Sequence, residues 1–220
     1  MSIDRKLLDW HRDHPDTWLV RFYDWSPPAL SLGYHQVCPP QWSDLCCELG
    51  YDLVRRPSGG RAVLHQGTLT YMAIGAQILP KRSEMYAYIC EFLIKGFQKL
   101  GLPLTYGTGQ GYDRHPSCWH THTQADLVDA RGMKLIGSAQ VYRQGSVLQH
   151  GSILLQPDPH VWGKFFGEGT YTGLKAAAMF ANWELADLQH YLVEVLVGSA
   201  IAHFPVEFTA SEFNNFLCLP

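Results

Sequence analysis

The sequence predicts an α+β fold, with a mixed, mostly antiparallel sheet flanked by helices. Two observations carry this. Loosely alternating apolar runs outnumber the helical stretches. Most of those runs are joined by short turns bearing glycine, which connect strands as hairpins and favour an α+β layer over a doubly wound sheet.

Bulk properties frame the reading. At 220 residues the chain is long enough for one domain with a sizeable core. Hydrophobic residues make up 46% and charged residues 17%, so the chain is globular rather than disordered. A net charge of −3 argues against a broad nucleic-acid footprint. There is no basic-then-apolar N-terminal signal and no apolar run of membrane-spanning length, so no membrane is expected and the expected location is cytoplasmic. The six cysteines form no CxxC pair, and no secretory context supports a disulfide framework.

The elements follow in chain order. Ser2 to Trp10 reads as an amphipathic helix capped by Ser2. Trp18 to Tyr23 suits a strand, and Ala29 to Gly33 a second after the Pro27-Pro28 break. Gln41 to Leu49 reads as a helix carrying Cys46 and Cys47. Leu53 to Arg56 and Ala62 to His65 flank a Gly-Gly turn, and Leu69 to Ala76 is another strand. In Ser83 to Leu100, the residues Met85, Ile89, Phe92, Leu93, Phe97 and Leu100 recur at helical spacing. Ser83 is placed to cap that helix and Gly101 to end it, with Cys90 in the core.

Gly107 to His122 is rich in glycine and proline and lacks periodicity, so it reads as a long loop, a common setting for function. Ala125 to Asp129, Met133 to Tyr142 and Val147 to Leu155 form a meander, turning at Arg131-Gly132 and Gln144-Gly145. Two helices finish the chain. Asn182 caps Glu184 to His203, and Thr209 with Glu212 forms a capping box for the last.

Four stretches hold chemistry. The first is Arg55-Arg56-Pro57-Ser58-Gly59-Gly60-Arg61-Ala62-Val63-Leu64-His65. Adjacent glycines let another group approach the backbone closely, and arginine sets a planar charged fork beside them. That suits a polar or anionic group held against the main chain. A plain β-hairpin with solvated arginines is the simpler alternative. The second is His115-Pro116-Ser117-Cys118-Trp119-His120-Thr121-His122. No distant Cys or His pair completes a zinc set here, so no metal is expected. Cys118, in a polar loop, is the candidate nucleophile, against a surface loop with no chemical role.

The third is Lys134, heading an apolar strand followed by Gly137, Ser138 and Ala139, whose small size leaves room for a ligand above the sheet. An ordinary solvated lysine is the alternative. The fourth is His150-Gly151 within an apolar strand, where a hydrogen-bonded core histidine is the usual outcome.

Taken together and in this order, these motifs resemble the biotin/lipoate protein ligase and octanoyltransferase superfamily. The likeness to the lipoate branch runs from the first helix to about Leu155, and more weakly to Leu188. It rests on Arg55, Arg56, Gly59, Gly60 and His65; on Lys134, Gly137, Ser138 and Ala139; and on His150 and Gly151. The resemblance implies the fold of class II aminoacyl-tRNA synthetases and biotin synthetases. It also implies one catalytic domain over 1–220, without the C-terminal accessory domain of long ligases, which some ligases carry as a separate chain.

Two chemistries share that scaffold. Lipoate–protein ligases of the A type form an acyl adenylate from ATP before transfer to a lysine. LipM-type octanoyltransferases move octanoate through a cysteine thioester without ATP. This sequence departs from the ligase pattern at Arg61, where ligases have a third glycine, and at Gln66, where they have aspartate after the histidine. The Gly59-to-His65 run and the Pro116-Ser117-Cys118-Trp119 loop resemble the LipM type, in which a cysteine lies shortly before the lysine-headed strand.

The resemblance therefore implies an octanoyltransferase with Cys118 and Lys134 as catalytic residues. Arg56, Ser58, Gly59, Gly60, Arg61, His65, Gly137, Ser138, Ala139, His150 and Gly151 would form the substrate site. The donor is octanoyl-acyl carrier protein, and the acceptor a lipoyl domain or glycine cleavage H protein. No cofactor is expected; ATP and Mg²⁺ belong only to the alternative ligase. A second alternative is a non-catalytic acyl- or lipoate-binding protein. Burying the octanoyl methylenes, at about 0.8 kcal/mol each, needs an apolar wall. Val63, Leu64, Tyr71 and Ile136 are the candidates, though core packing explains them equally well.

Overall fold

The computed structural model describes residues 1–109, 125–167, 169, 171–204 and 216–219. Its main layer is a seven-stranded sheet. In spatial order the strands are β10 (Phe216–Leu219), β1 (Trp18–Tyr23), β5 (Thr68–Ala76), β9 (Ser146–Leu154), β8 (Lys134–Arg143), β7 (Leu127–Val128) and β6 (Thr105–Tyr106). Every pairing within it is antiparallel. A second sheet holds β3 (Asp52–Arg55), β2 (Ala29–Leu32) and β4 (Val63–His65). There β2 runs parallel to β3 and antiparallel to β4. The expected mixed, mostly antiparallel sheet is present.

The meander forms because its turn chemistry is right. Gln144 and Gly145 both have positive φ, 49° and 85°, as a two-residue hairpin needs to match the twist of β8 and β9. Strand β5 is buried on both faces at the centre of the sheet. On one face Leu69, Tyr71 and Ala73 join the main core with α3 (Arg82–Lys99) and α5 (Leu185–His203). On the other, Met72 and Ile74 pack with Leu19, Leu148 and Leu8 of α1 (Ser2–His11). This alternation decides which residues of β9 face the site, because Leu148, His150 and Ser152 share the α1 face.

Several expectations are corrected. Strands β3 and β4 are not hairpin partners, because β2 inserts between them. Ser2, Ser83 and Asn182 cap nothing: α1, α3 and α5 begin without a side-chain cap bond, after Met1, Lys81 and Glu184. Helix α2 starts one residue early, at Pro40 (Pro40–Leu49), and proline suits a first turn that lacks hydrogen-bond acceptors for its N–H groups. Helix α4 (Pro159–Phe166) was not expected. Asp158 caps it by accepting from the backbone N–H of His160 and Val161, and Pro159 opens it. The capping box at Thr209 and Glu212 lies outside the described residues. The last described segment is strand β10 rather than helix, pairing with β1 at the sheet edge.

Candidate active site

The site opens on the α1 face, where β8 and β9 run beside the Gly-Gly turn. Antiparallel register places Gly137 opposite Ser152 and Ala139 opposite His150, so these four point the same way. Ser138 and Gly151 point to the other face, where Ser138 Oγ meets Tyr71 Oη at 2.7 Å. A cavity of about 70 Å³, open to solvent, lies over this part of the sheet. Its walls include Lys134, Gly137, Ser138 and Ala139 of β8; His150, Gly151 and Ser152 of β9; and Gly60 and Arg61 of the turn.

Lys134 folds back over Gly137. A Cβ on Gly137 would stand 2.9 Å from Lys134 Cε and 3.1 Å from Nζ, so the missing side chain is what admits the ammonium. Asp126, just before β7, holds that ammonium at 2.8 Å, and both side chains are only 7% exposed. A buried lysine with one carboxylate partner is a directed cation, aimed into the cavity that both residues line.

The arginines of the turn are structural first. Arg56 is buried and donates to Ser31 O at 2.7 Å, Ser31 Oγ at 2.9 Å, Gly59 O at 3.1 Å and Arg61 O at 2.8 Å. Its planar fork thus stitches the turn to β2. Arg55 donates to the carbonyls of Gly33, Tyr34 and Gln36. Gly60 needs its positive φ of 91°, and its carbonyl sits where a Cβ on Gly33 would be. The solvated-hairpin alternative is excluded by the pairing and by the burial of Arg56, while Arg55 stays exposed and is held by its three carbonyl contacts.

Two histidines stand at the cavity, both with pKa values pushed down by burial and by the nearby Arg56 charge. His65 is held at Nε2 by Ser31 Oγ (2.7 Å), with Thr70 Oγ1 at 3.4 Å from Nδ1, and Trp25 stacks on its ring at 4.4 Å. His150 has Ser58 Oγ at 2.5 Å from Nε2 and Asp4 Oδ2 at 3.5 Å from Nδ1. Burial works to raise the Asp4 carboxyl, but hydrogen bonds from His150 and Tyr23 and nearby positive charge hold it down at about 2. An ionised Asp4 only accepts, so Nδ1 carries the His150 proton and Nε2 accepts from Ser58. Arg21 completes the row, donating to Asp4 Oδ1 at 3.1 Å.

Most of the residues expected at the site meet at this cavity: Arg56, Gly60, Arg61, His65, Lys134, Gly137, Ser138, Ala139, His150 and Gly151. Ser58 and Gly59 stand behind the wall and do not line it. Cys118 lies outside the described residues, as do His115, His120 and His122. Among the described residues no cluster of side chains is arranged to hold a metal. Of the four candidate acyl-chain walls only Val63 lines the cavity. Leu64, Tyr71 and Ile136 face the other way into the main core, each fully buried.

Gln66 is used in packing. Its side-chain oxygen accepts from the Asp158 backbone N–H at 2.8 Å and from Trp162 Nε1 at 3.1 Å, pinning the start of α4. Sequence reasoning missed Asp4, Asp126, Thr70 and Ser152. Asp4 left a signal: it is spaced with Leu8 and His11 on the buried face of α1, where an acid needs a partner. For the other three no local pattern pointed inward.

The fold and this cavity define a protein of the lipoyl ligase and transferase type. A family model for the lipoyl protein ligase A/B catalytic domain matches residues 1–204, and the chain belongs to that family. Octanoyltransferase LipM of Lysinibacillus sphaericus is 36% identical over 171 residues, covering 72% of this chain and 62% of that protein. Octanoyltransferase LipM of Bacillus subtilis is 35% identical over 171 residues, covering 72% and 61%. The chain thus spans a little over three fifths of the length of these relatives. Among solved structures, a bi-partite lipoate protein ligase of Thermoplasma acidophilum, described with its E2 lipoyl domain, has a TM-score of 0.59. It is 19% identical and covers 89% of this chain and 75% of that one. A lipoate-protein ligase A bound with ATP has a TM-score of 0.61 at 20% identity, covering 84% and 73%. The likeness to these two is one of fold.

Proposed function

We propose that this protein is an octanoyltransferase acting through a cysteine thioester. The observation that carries the reading is the cavity itself. It gathers a buried lysine, a strand of small residues and the Gly-Gly turn around one space, and the turn's third position is Arg61. A guanidinium in that wall takes room that a nucleotide would need, and relatives 35–36% identical are named octanoyltransferases.

The reaction runs in two halves. The Cys118 thiolate attacks the octanoyl thioester on acyl carrier protein, and the carrier's thiolate leaves. One thioester replaces another, so no ATP is required. The acceptor lysine, on a lipoyl domain or the glycine cleavage H protein, then attacks the enzyme thioester as the free amine. An amide forms, the Cys118 thiolate leaves and the amine's surplus proton passes to a base. Amide formation draws the second half forward. Lys134 donates to the carbonyl oxygen as negative charge develops on it, and as a cation favours the Cys118 thiolate. Asp126, which holds Lys134 at 2.8 Å, lies eight residues after Cys118 in the sequence.

The test is transfer of octanoate from octanoyl carrier protein to a lipoyl domain without ATP. Wild type is expected to transfer, and Cys118→Ala to lose transfer altogether. Full activity in Cys118→Ala would sink the thioester mechanism. Acyl transfer only with ATP and release of pyrophosphate would make the protein a ligase instead.

A further inference from the structure

Among the described residues, Ser152 is the polar side chain of the cavity floor that makes no hydrogen bond. It is 2% exposed. Its neighbours differ. Thr70, opposite it on β5, accepts from Trp25 Nε1 at 2.9 Å, and His150 is held by Ser58 and Asp4. A buried hydroxyl without a protein partner is costly, and beside a cavity a water or a ligand atom can supply that partner.

Register shows where that ligand atom sits. Ser152 is directly opposite Gly137 on β8, so its side chain rises on the same face. The space over Gly137 is filled by the end of Lys134, with Nζ 3.1 Å from where a Cβ would be. Ser152 and the end of Lys134 therefore lie side by side on one face of the sheet, and both residues line the cavity.

We propose that Ser152 Oγ–H is the second donor, beside Lys134 Nζ, to the carbonyl oxygen of the acyl group in both half-reactions. This rests on the acyl-transfer reading of the cavity. Ser152 keeps its proton throughout: it donates a hydrogen bond, forms no bond to carbon and gives up no electron pair. A nucleophilic role would need a base, and no histidine or carboxylate hydrogen-bonds to it among the described residues. His150 Nε2 is already taken by Ser58. A neutral donor adds what Lys134 lacks, because the lysine is shared with Asp126 while the hydroxyl is committed to nothing else.

The experiment compares wild type, Ser152→Ala and Ser152→Thr with octanoyl carrier protein, following enzyme acylation and transfer to a lipoyl domain separately. Ser152→Ala is expected to slow kcat of both halves by about 10²-fold, the usual effect of removing one such donor, with KM unchanged and Tm unchanged or higher, because a buried hydroxyl without a partner is removed. Ser152→Thr, which keeps the hydroxyl, is expected to retain most of the rate. In the acyl-enzyme carrying a ¹³C-labelled carbonyl, the carbonyl stretch should rise in frequency in Ser152→Ala as a hydrogen bond is lost. If wild type acylates while Ser152→Ala matches it within twofold, or loses only KM or Tm, this proposal is overturned and the function stands. If wild type forms no acyl-enzyme, the acyl-transfer reading fails and this proposal falls with it.

Discussion

The Asp4 carboxylate lies 3.5 Å behind His150 Nδ1, and this contact joins the first helix to the floor of the cavity. With Ser58 at the other ring nitrogen and Arg21 and Tyr23 on the carboxylate, it sets the His150 tautomer and anchors the turn from beneath. Asp4→Asn removes the charge that Arg21 and His150 both use. It is expected to destabilise the protein by about 3–5 kcal/mol at pH 7, the usual effect of breaking a buried ion pair. Denaturant unfolding measures this. The gap between variant and wild type should narrow by on the order of 2 kcal/mol as pH falls through about 2, where Asp4 itself becomes protonated.

The same carboxylate gives wild type a defined acid limb. Its folded pKa of about 2 lies below the ordinary 3.8, so its contribution is fully present above pH 3.8 and is lost as pH falls through 2. The size is on the order of 2 kcal/mol. The buried histidines act at higher pH. His65 and His150 are depressed below 6.5, so the unfolded chain binds protons there that the folded chain refuses. Stability should decline as pH falls below about 6.5, before the Asp4 limb begins. Unfolding curves between pH 8 and 2 that stayed level until pH 4 would contradict the histidine part.

Gly137 and Gly151 should separate activity from stability. A methyl at Gly137 meets the flexible end of Lys134, with Asp126 Oδ1 in ordinary contact at 3.7 Å, so Gly137→Ala should fold with a modest loss in Tm as the ammonium is pushed off Asp126, and with a sharp loss of activity. A methyl at Gly151 meets the Tyr71 ring at 2.5 Å and the Gly137 carbonyl at 2.6 Å. That backbone cannot move aside cheaply, so Gly151→Ala should cost about 1–3 kcal/mol of stability, as overpacking does. Calorimetry on both variants, beside a transfer assay, checks the contrast.

Lys134 and Asp126 should behave as a unit. Each single change, Lys134→Met or Asp126→Asn, strips a buried charge of its partner, whereas the double variant leaves neither exposed to that penalty. A double-mutant cycle in stability should give a coupling of about 1–3 kcal/mol, while all three variants lose transfer activity. A coupling near zero would mean the 2.8 Å pair contributes nothing to the fold.

The parts of this molecule legible in the sequence are those set by local rules. The β8–β9 hairpin follows from Gln144-Gly145, and α3 from an apolar stripe at helical spacing. Helix α4 is missed, although Asp158 and Pro159 open it, because its signal is short. The pairing of β3 and β4 was not, because only the tertiary fold brings β2 between them. At the site, the motif residues Lys134, His150 and the turn were found through the superfamily resemblance. Their partners were not: Asp126, Ser152 and Thr70 act across strands, and register is invisible from either strand alone. The acyl-chain walls failed for a related reason. Residues of β4, β5 and β8 alternate faces, and Leu64, Tyr71 and Ile136 fall on the core side.

The most direct test of the central claim is intact mass after incubation with octanoyl-acyl carrier protein and no ATP, followed by peptide mapping. The account predicts one octanoyl adduct, labile to hydroxylamine as a thioester is, mapped to Cys118 and absent from Cys118→Ser. No adduct, with octanoate activated only when ATP is added, would contradict it.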